Sequence, residues 1–380
     1  MVLRPANSRS MEELVSRFGL KSIAPLDIYL GIDGLPCKMS IDMMLKCAFW
    51  AQNQCSYQLA EETMRKVFGY AVNDDTIRQV TGFIGRLVFD EDCRLAEKAW
   101  AALESANIDC PHDRKGVLYL EADGAALNTR TKGTDGSTWR ENKLGVAFSS
   151  DNIYHWVGAD RKKHHQIMRR EYVSYIGSVN DFKKHFFACA IRNGYGKYRQ
   201  TVILSDGAQW IANMAGELFP DAQHILDLFH LKENVYDFAK ARFRQDAAKY
   251  TPWAESVCTK LEDGHWKDVL MGLDPREQYD NTVNLYHYID SNREHIDYPS
   301  YREKGWFLGS GAIESGNKIV LQKRLKQAGM RWNPDTAQYL LTLCTKAESG
   351  RWDQDVEAYI RKTLAPGTES RHRTLYSSKI

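Results

Sequence analysis

GVLYLEAD, residues 116–123, marks the point where the chain's hydrophobic period changes. Upstream, apolar residues recur at helical spacing. Here a short run of β-branched, aromatic and aliphatic residues ends in a carboxylate, which predicts a strand closing on Asp123. Working outward, KLGVAFSS (143–150) and NIYHWVGA (152–159) read as two more strands joined by a polar turn. A helical stretch is predicted from about His164 to Ile191. TVILSD (201–206) reads as a fourth strand, AQWIANMAGELF (208–219) as a helix and AQHILD (222–227) as a fifth strand. The predicted order is β-β-β-α-β-α-β with carboxylates at strand ends.

Before this block, residues 1–115 read as helical. SIDMMLKCAFWAQ (40–52) has one apolar face, and SYQLAEETMRKVFG (56–69) follows with Ser56 as N-cap and Gly69 as stop. After the YAVN connection, DDTIRQVTGFIGRLV (74–88) starts another helix, with Asp74 or Asp75 as its cap. Helix, short turn, helix is the helix-turn-helix arrangement. It would put Thr76, Arg78 and Gln79 where base contacts are made, although an ordinary helical pair has the same pattern. After the strands, residues 228–300 read as an all-α insertion. GSGAIESGNKIVLQKRLKQ (309–327) enters a late helix through glycines, within a segment 301–365. Residues 366–380 read as a polar, frayed tail.

Composition narrows the classes. Hydrophobic residues make up 43% of 380, and with ten tryptophans this rules out a disordered chain. No apolar stretch approaches a membrane span and no signal-peptide core opens the sequence, so a cytoplasmic, nucleoid-associated protein with no membrane partner is expected. The eight cysteines show no CxxC spacing, which predicts reduced thiols. The net charge of +2 is uninformative, but residues 300–380 carry 14 Lys/Arg against 8 Asp/Glu. A nucleic-acid partner predicts such a local excess, and a solvated helix face would also give it.

Three carboxylates stand at element ends: Asp123 after the first strand, Asp206 after the fourth, and Glu314 at the opening of the late helix. A ribonuclease-H-like sheet sets its first and fourth strands side by side, so the first two acids would be neighbours. Oxygen ligands grouped in this way suit Mg²⁺ or Mn²⁺, and two such ions can activate the attacking oxygen and stabilise the leaving oxygen of a phosphodiester. Close acids repel, which predicts a partly protonated site without metal. Asp-Gly pairs are also turn signals, and Glu near a helix start is also a favourable dipole contact. Glu121, on the same strand face as Asp123, is a rival or auxiliary ligand.

PLDIYLGI (25–32), the SYQLAEE helix pair, EADGAALNTR (121–130), WRENKLGVAF (139–148), LSDGAQWIANMAGELFPDAQHILDLFHLKENV (204–235) and the long block 309–352 together resemble bacterial insertion-sequence transposases of the ISLre and ISKra types, distantly similar to Mutator transposases. The resemblance implies an α/β ribonuclease-H-like catalytic domain split by a helical insertion and preceded by an all-α region. It implies that Asp123, Asp206 and Glu314 bind metal. It also implies strand cleavage and strand transfer on terminal inverted repeats and target DNA by a homo-oligomer. Asp227 and His230 match an Asp-x-x-His motif in that family, while a helix cap and a packed histidine explain the same residues. Relatives often carry a cysteine-rich ribbon where this chain has MEELVSRFGLKSIAPLD (11–27). Downstream of Glu314, the basic residues Lys318, Lys323, Arg324, Lys326 and Arg331 are candidates for DNA contacts, and Trp332 for base stacking or the core. An inactive DNA-binding remnant and a ribonuclease-H-like nuclease are the competing readings.

Overall fold

The computed structural model describes residues 25–105, 110–133 and 136–365. The expected tail 366–380 and residues 11–24, the part of the ribbon position before Pro25, lie outside the described residues. After a short helix α1 (Pro25–Tyr29) come α2 (Ile41–Asn53), α3 (Tyr57–Phe68) and α4 (Asp74–Glu104). Local chemistry sets their ends. Ser40 accepts from the Met43 N–H, Ser56 from Leu59 and Asn73 from Thr76. Gly69 closes α3 at φ 72°, a left-handed backbone that glycine adopts without a Cβ clash. The cap of α4 is thus Asn73 rather than Asp74 or Asp75, and the helix runs to Glu104, well past the expected pair.

A mixed α/β layer follows. The strands are β1 (Arg114–Asn128), β2 (Trp139–Ser149), β3 (Ile153–Val157), β4 (Lys163–Ile167), β5 (Glu171–Ile176), β6 (Tyr198–Ser205) and β7 (Gln223–Leu226). Five of them form one sheet in the order β5-β2-β1-β6-β7. In this sheet β2 is antiparallel to β1 and β5, while β6 is parallel to β1 and β7. Counted along the chain within this sheet, the first and fourth strands are side by side. The expected third strand, β3, pairs with β4 in a separate ribbon.

Two expectations are corrected here. Residues 164–191 are not one helix: β4 and β5 occupy 163–167 and 171–176, and the helix α5 spans only Val179–Arg192. The aromatic and β-branched run EYVSYI has a partner edge on β2, and this pairing overrides the helical reading. Asp123 does not end β1. The β1–β2 ladder continues from Asp123↔Leu144 to Asn128↔Trp139, so Asp123 lies within an extended hairpin.

Alternation along β1 divides the core. Leu118, Leu120 and Ala122 join α5 and α6 (Gln209–Leu218) on one face. Tyr119 and Leu127 belong to a second core cluster, which takes in residues of helices α7 (Leu228–Arg242), α8 (Ala247–Glu262), α9 (Trp266–Met271), α10 (Leu285–Ser291), α11 (Tyr298–Glu303) and α12 (Gly311–Gly316). The segment 228–300 holds no strand, as expected, yet its core is continuous with the sheet. The N-terminal helices likewise share a cluster with Leu343 of α13 (Pro334–Glu348) and with Ile360 and Leu364 of α14 (Tyr359–Leu364). No described helix is long and apolar enough to cross a membrane.

Candidate active site

The site lies where β1, the end of β6, the start of α7 and the start of α12 converge. Asp206 directly follows β6. Its Oδ1 accepts from the Ala208 N–H (2.9 Å), and its main-chain carbonyl accepts from the Tyr288 hydroxyl (2.9 Å). Gly207 follows at φ 90°, and a Cβ there would lie 2.9 Å from Leu226. The turn therefore needs glycine for both its backbone and its space.

Asp227 is fully buried. Its Oδ1 accepts from the N–H groups of Phe229 (2.6 Å) and His230 (3.0 Å), capping α7. Its Oδ2 accepts from both the N–H and the hydroxyl of Ser310 (2.5 Å each), which ties down the loop entering α12. Burial alone would push this carboxyl up. The neighbouring His230 and the Ser310 donors outweigh it and hold the group at about 2. His230 Nδ1 stands 3.6 Å from Asp227 Oδ2, an ion pair longer than a hydrogen bond. The Asp227 charge raises the imidazole to about 9; burial opposes this, and Asp206 and Glu314 add to it. Asp227 therefore favours the protonated form of His230.

Glu121 is not a rim ligand. It is sealed at 1% exposure, and its Oε2 accepts from the Ile313 N–H (2.7 Å), anchoring the first turn of α12 to β1. Burial pushes it up to about 8, with Asp227 and Glu314 adding to the rise and the Ile313 and Ala312 amides opposing it. The helix lies close on the sheet because residue 316 is glycine: a Cβ there would lie 2.5 Å from the Tyr172 ring.

Asp123, Asp206 and Glu314 are the more open acids. Burial raises Asp123; the Gly124 amide opposes this, the Asp206 charge adds to it, and His230 and Asn317 offset it further. Asn317 Nδ2 donates to Asp123 Oδ2 (2.6 Å) from the π-helical turn Asn317–Gln322, where the late helix widens. The Glu314 side chain takes no hydrogen bond or ion pair from a described residue. One ligand atom each from Asp227, His230 and Glu314 lie within 4.8 Å of one another, so this group could hold a metal ion. No such group of three among the described residues includes Asp123 or Asp206. The imidazole must be neutral to ligate, and Asp227 has spent its acceptor sites on hydrogen bonds. The free ligand oxygens are those at the rim, on Asp206 and Glu314, with Asp123 behind Asn317.

Asn317 and Tyr288 were missed by sequence reading. Asn317 sits three residues after Glu314, one turn along the same face, and that spacing could have found it. Tyr288 lies 82 residues from Asp206 and carried no signal.

The residues proposed for DNA contact have mixed fates. Lys318, Lys323, Lys326 and Arg331 are exposed. Arg324 is not: at 1% exposure it donates to the carbonyls of Ala51 (2.7 Å) and Cys55 (3.3 Å). It belongs to the packing between the late helix and the N-terminal helices. Arg78 and Gln79 reach the surface, but both are bonded to Asp75 (2.6 and 2.9 Å), which occupies the polar ends that would read bases. Trp332 is a core residue, its indole N–H donating to the Leu325 carbonyl (2.9 Å). No known protein family matches the chain, and no curated protein matches it.

Proposed function

We propose that the chain is a DDE-type transposase with a ribonuclease-H-like core, which cleaves and joins DNA strands with Asp123, Asp206 and Glu314 as metal ligands. The observation that carries this reading is the convergence of acids from β1, the end of β6 and the start of α12 on one imidazolium. The neighbouring first and fourth strands of the sheet support it. So does the set of open carboxylate oxygens, whose hardness fits Mg²⁺ or Mn²⁺ better than a thiolate-seeking metal. A pair of such ions, when bound, would supply Lewis-acid activation of the attacking and leaving oxygens.

The protein's own groups have separable tasks. The His230 imidazolium donates a hydrogen bond to a nonbridging phosphate oxygen. It keeps its proton because Asp227 stabilises the charge. Asn317 orients Asp123, and Glu121 fixes the helix that presents Glu314. Exposed Lys318, Lys323, Lys326 and Arg331 lead away from Glu314 and offer phosphate contacts. The element's terminal inverted repeats and a target DNA are the substrates, and a homo-oligomer working in the bacterial cytoplasm is the acting form.

Purified protein incubated with cloned element ends in magnesium, scored for nicking and for joining to a second DNA, tests this. Nicking with strand transfer is expected. Nicking without joining would make the chain a nuclease, and binding without nicking an inactive remnant.

A further inference from the structure

A second site lies between the N-terminal helices and the loop 329–333. This loop is zipped onto the end of the β1 hairpin: Trp332 bridges Thr129 in parallel, and the Arg130 N–H donates to the Trp332 carbonyl (2.8 Å). Between loop and helices opens a cleft of about 520 Å³ whose walls include Tyr57, Arg78, Arg130, Arg324, Arg331 and Trp332. No Asp or Glu lines it.

Arg324 is the unusual member. Its guanidinium stacks between the rings of Tyr57 (4.5 Å) and Trp332 (5.2 Å). Nη2 has no hydrogen-bond partner, and the Tyr57 hydroxyl is also buried without one. The groups whose charge acts on Arg324 are Tyr57, Cys344 and Cys55, none of them a carboxylate. An arginine stays protonated even when buried, and a buried charge without a counter-charge is costly. No carboxylate among the described residues balances it. Around it stand three further guanidinium groups, and only Arg78 has a carboxylate partner among the described residues, Asp75.

We propose that this cleft binds one unpaired nucleotide of a DNA strand, with the phosphate on Arg130, Arg331 and Arg324 and the base against the wall formed by Tyr57 and Met330. The cleft's volume is within the range of small-molecule sites and large for a bare phosphate. A duplex backbone presents phosphates on a convex surface, whereas a concave pocket with an apolar side takes a base out of its stack. The proposal rests on the transposase reading only in taking the strand to be DNA.

The test is anisotropy with labelled hexathymidylate and with a fully paired duplex of about 20 base pairs, long enough for stacking to keep it double-stranded, in chelator so that no cleavage occurs. The single strand is expected to bind at least about 10-fold more tightly than the duplex. Arg130→Ala with Arg331→Ala, both at exposed positions, should weaken it about 10- to 50-fold. The double substitution should also reduce the salt slope by up to about 1.4, roughly 0.7 for each lost single-strand phosphate contact. Tyr57→Phe should weaken binding about 2- to 5-fold at an unchanged melting temperature, and an abasic hexamer should bind less well than hexathymidylate. Equal affinity for the two DNA forms, no effect of the double substitution, or displacement by inorganic phosphate as effective as by thymidine monophosphate would overturn the proposal. Cleavage of element ends is scored separately. Single-strand binding without cleavage sinks the transposase reading and keeps the cleft; cleavage without single-strand preference does the reverse.

Discussion

Glu121 and Asp227 lie beneath the site, while Asp123, Asp206 and Glu314 lie at its rim, and the same carboxylate chemistry behaves in opposite ways in the two layers. In the lower layer every acid is spent on structure. Glu121 holds the Ile313 amide, and Asp227 holds four donors from α7 and the Ser310 loop. At the rim, Glu314 has no partner among the described residues, and Asp206 uses one oxygen on its own turn. Buried acids with full hydrogen bonding build the platform, whereas above it Asp206 and Glu314 keep oxygens without a partner among the described residues, and Asp123 takes one donor on each oxygen, from Gly124 and Asn317. The five acids are thus not equivalent, and bonding partners separate those spent on structure from those left open.

That contrast can be broken by substitution. The largest effect is expected at the rim. Asp123→Asn, Asp206→Asn or Glu314→Gln should each lower DNA cleavage by about 10²–10³-fold, the scale of losing one preorganised charge contact. Melting temperature should hold or rise as repulsion is relieved, and calorimetric melting beside a nicking assay reads both. Next comes Asp227→Ala, which strands four donors and removes the charge that favours the His230 proton. Chemical denaturation should show a loss of about 3–5 kcal/mol, the usual cost of breaking a buried pair.

Glu121 gives a smaller, pH-dependent effect. Its folded value of about 8 lies above the ordinary 4.5, so the folded state favours the protonated carboxyl. The stability it contributes is full below pH 4.5 and is lost as pH rises through about 8. In chelator, wild type should therefore weaken across that window relative to Glu121→Gln. Below pH 4.5 the variant should differ by no more than about 1 kcal/mol, since the amide there replaces a neutral acid of the same shape. A wild type whose denaturation midpoint tracks the variant from pH 5 to 9 would mean that Glu121 is ionised in the folded protein. The smallest effect concerns the basic helix. Lys323→Ala with Lys326→Ala should leave melting unchanged and flatten the slope of log K against log salt by up to about 1.8, roughly 0.9 per duplex phosphate contact. Affinity measured at several salt concentrations checks this, and an unchanged slope would make these charges a solvated face.

Much of this organisation was legible in the residues. The change of period at 116, the strand before Asp206, the helix 209–218 and the cap at Asp227 all follow from local patterning, and local patterning is what those elements obey. The stretch 164–191 was misread because β4 and β5 exist through pairing with β3 and β2, and partners distant in sequence leave no local trace. The extension of β1 past Asp123 has the same cause. Arg324 shows the limit in another way: a basic residue between Lys323 and Lys326 shares their composition, yet one step around the helix turns it into the interior against Ala51 and Cys55. Glu121 and Asp123 differ by two residues on one strand face, and only the placement of α12 over the first decides which of them is sealed.

Calorimetric titration of Mn²⁺ into the DNA-free protein measures metal binding at the rim without the complication of cleavage. Wild type and Glu121→Gln are expected to bind Mn²⁺ with similar affinity, whereas Asp123→Asn, Asp206→Asn and Glu314→Gln should each weaken or abolish the binding. Binding that survives all three rim substitutions and disappears with Glu121→Gln would move the metal into the lower layer and contradict the account.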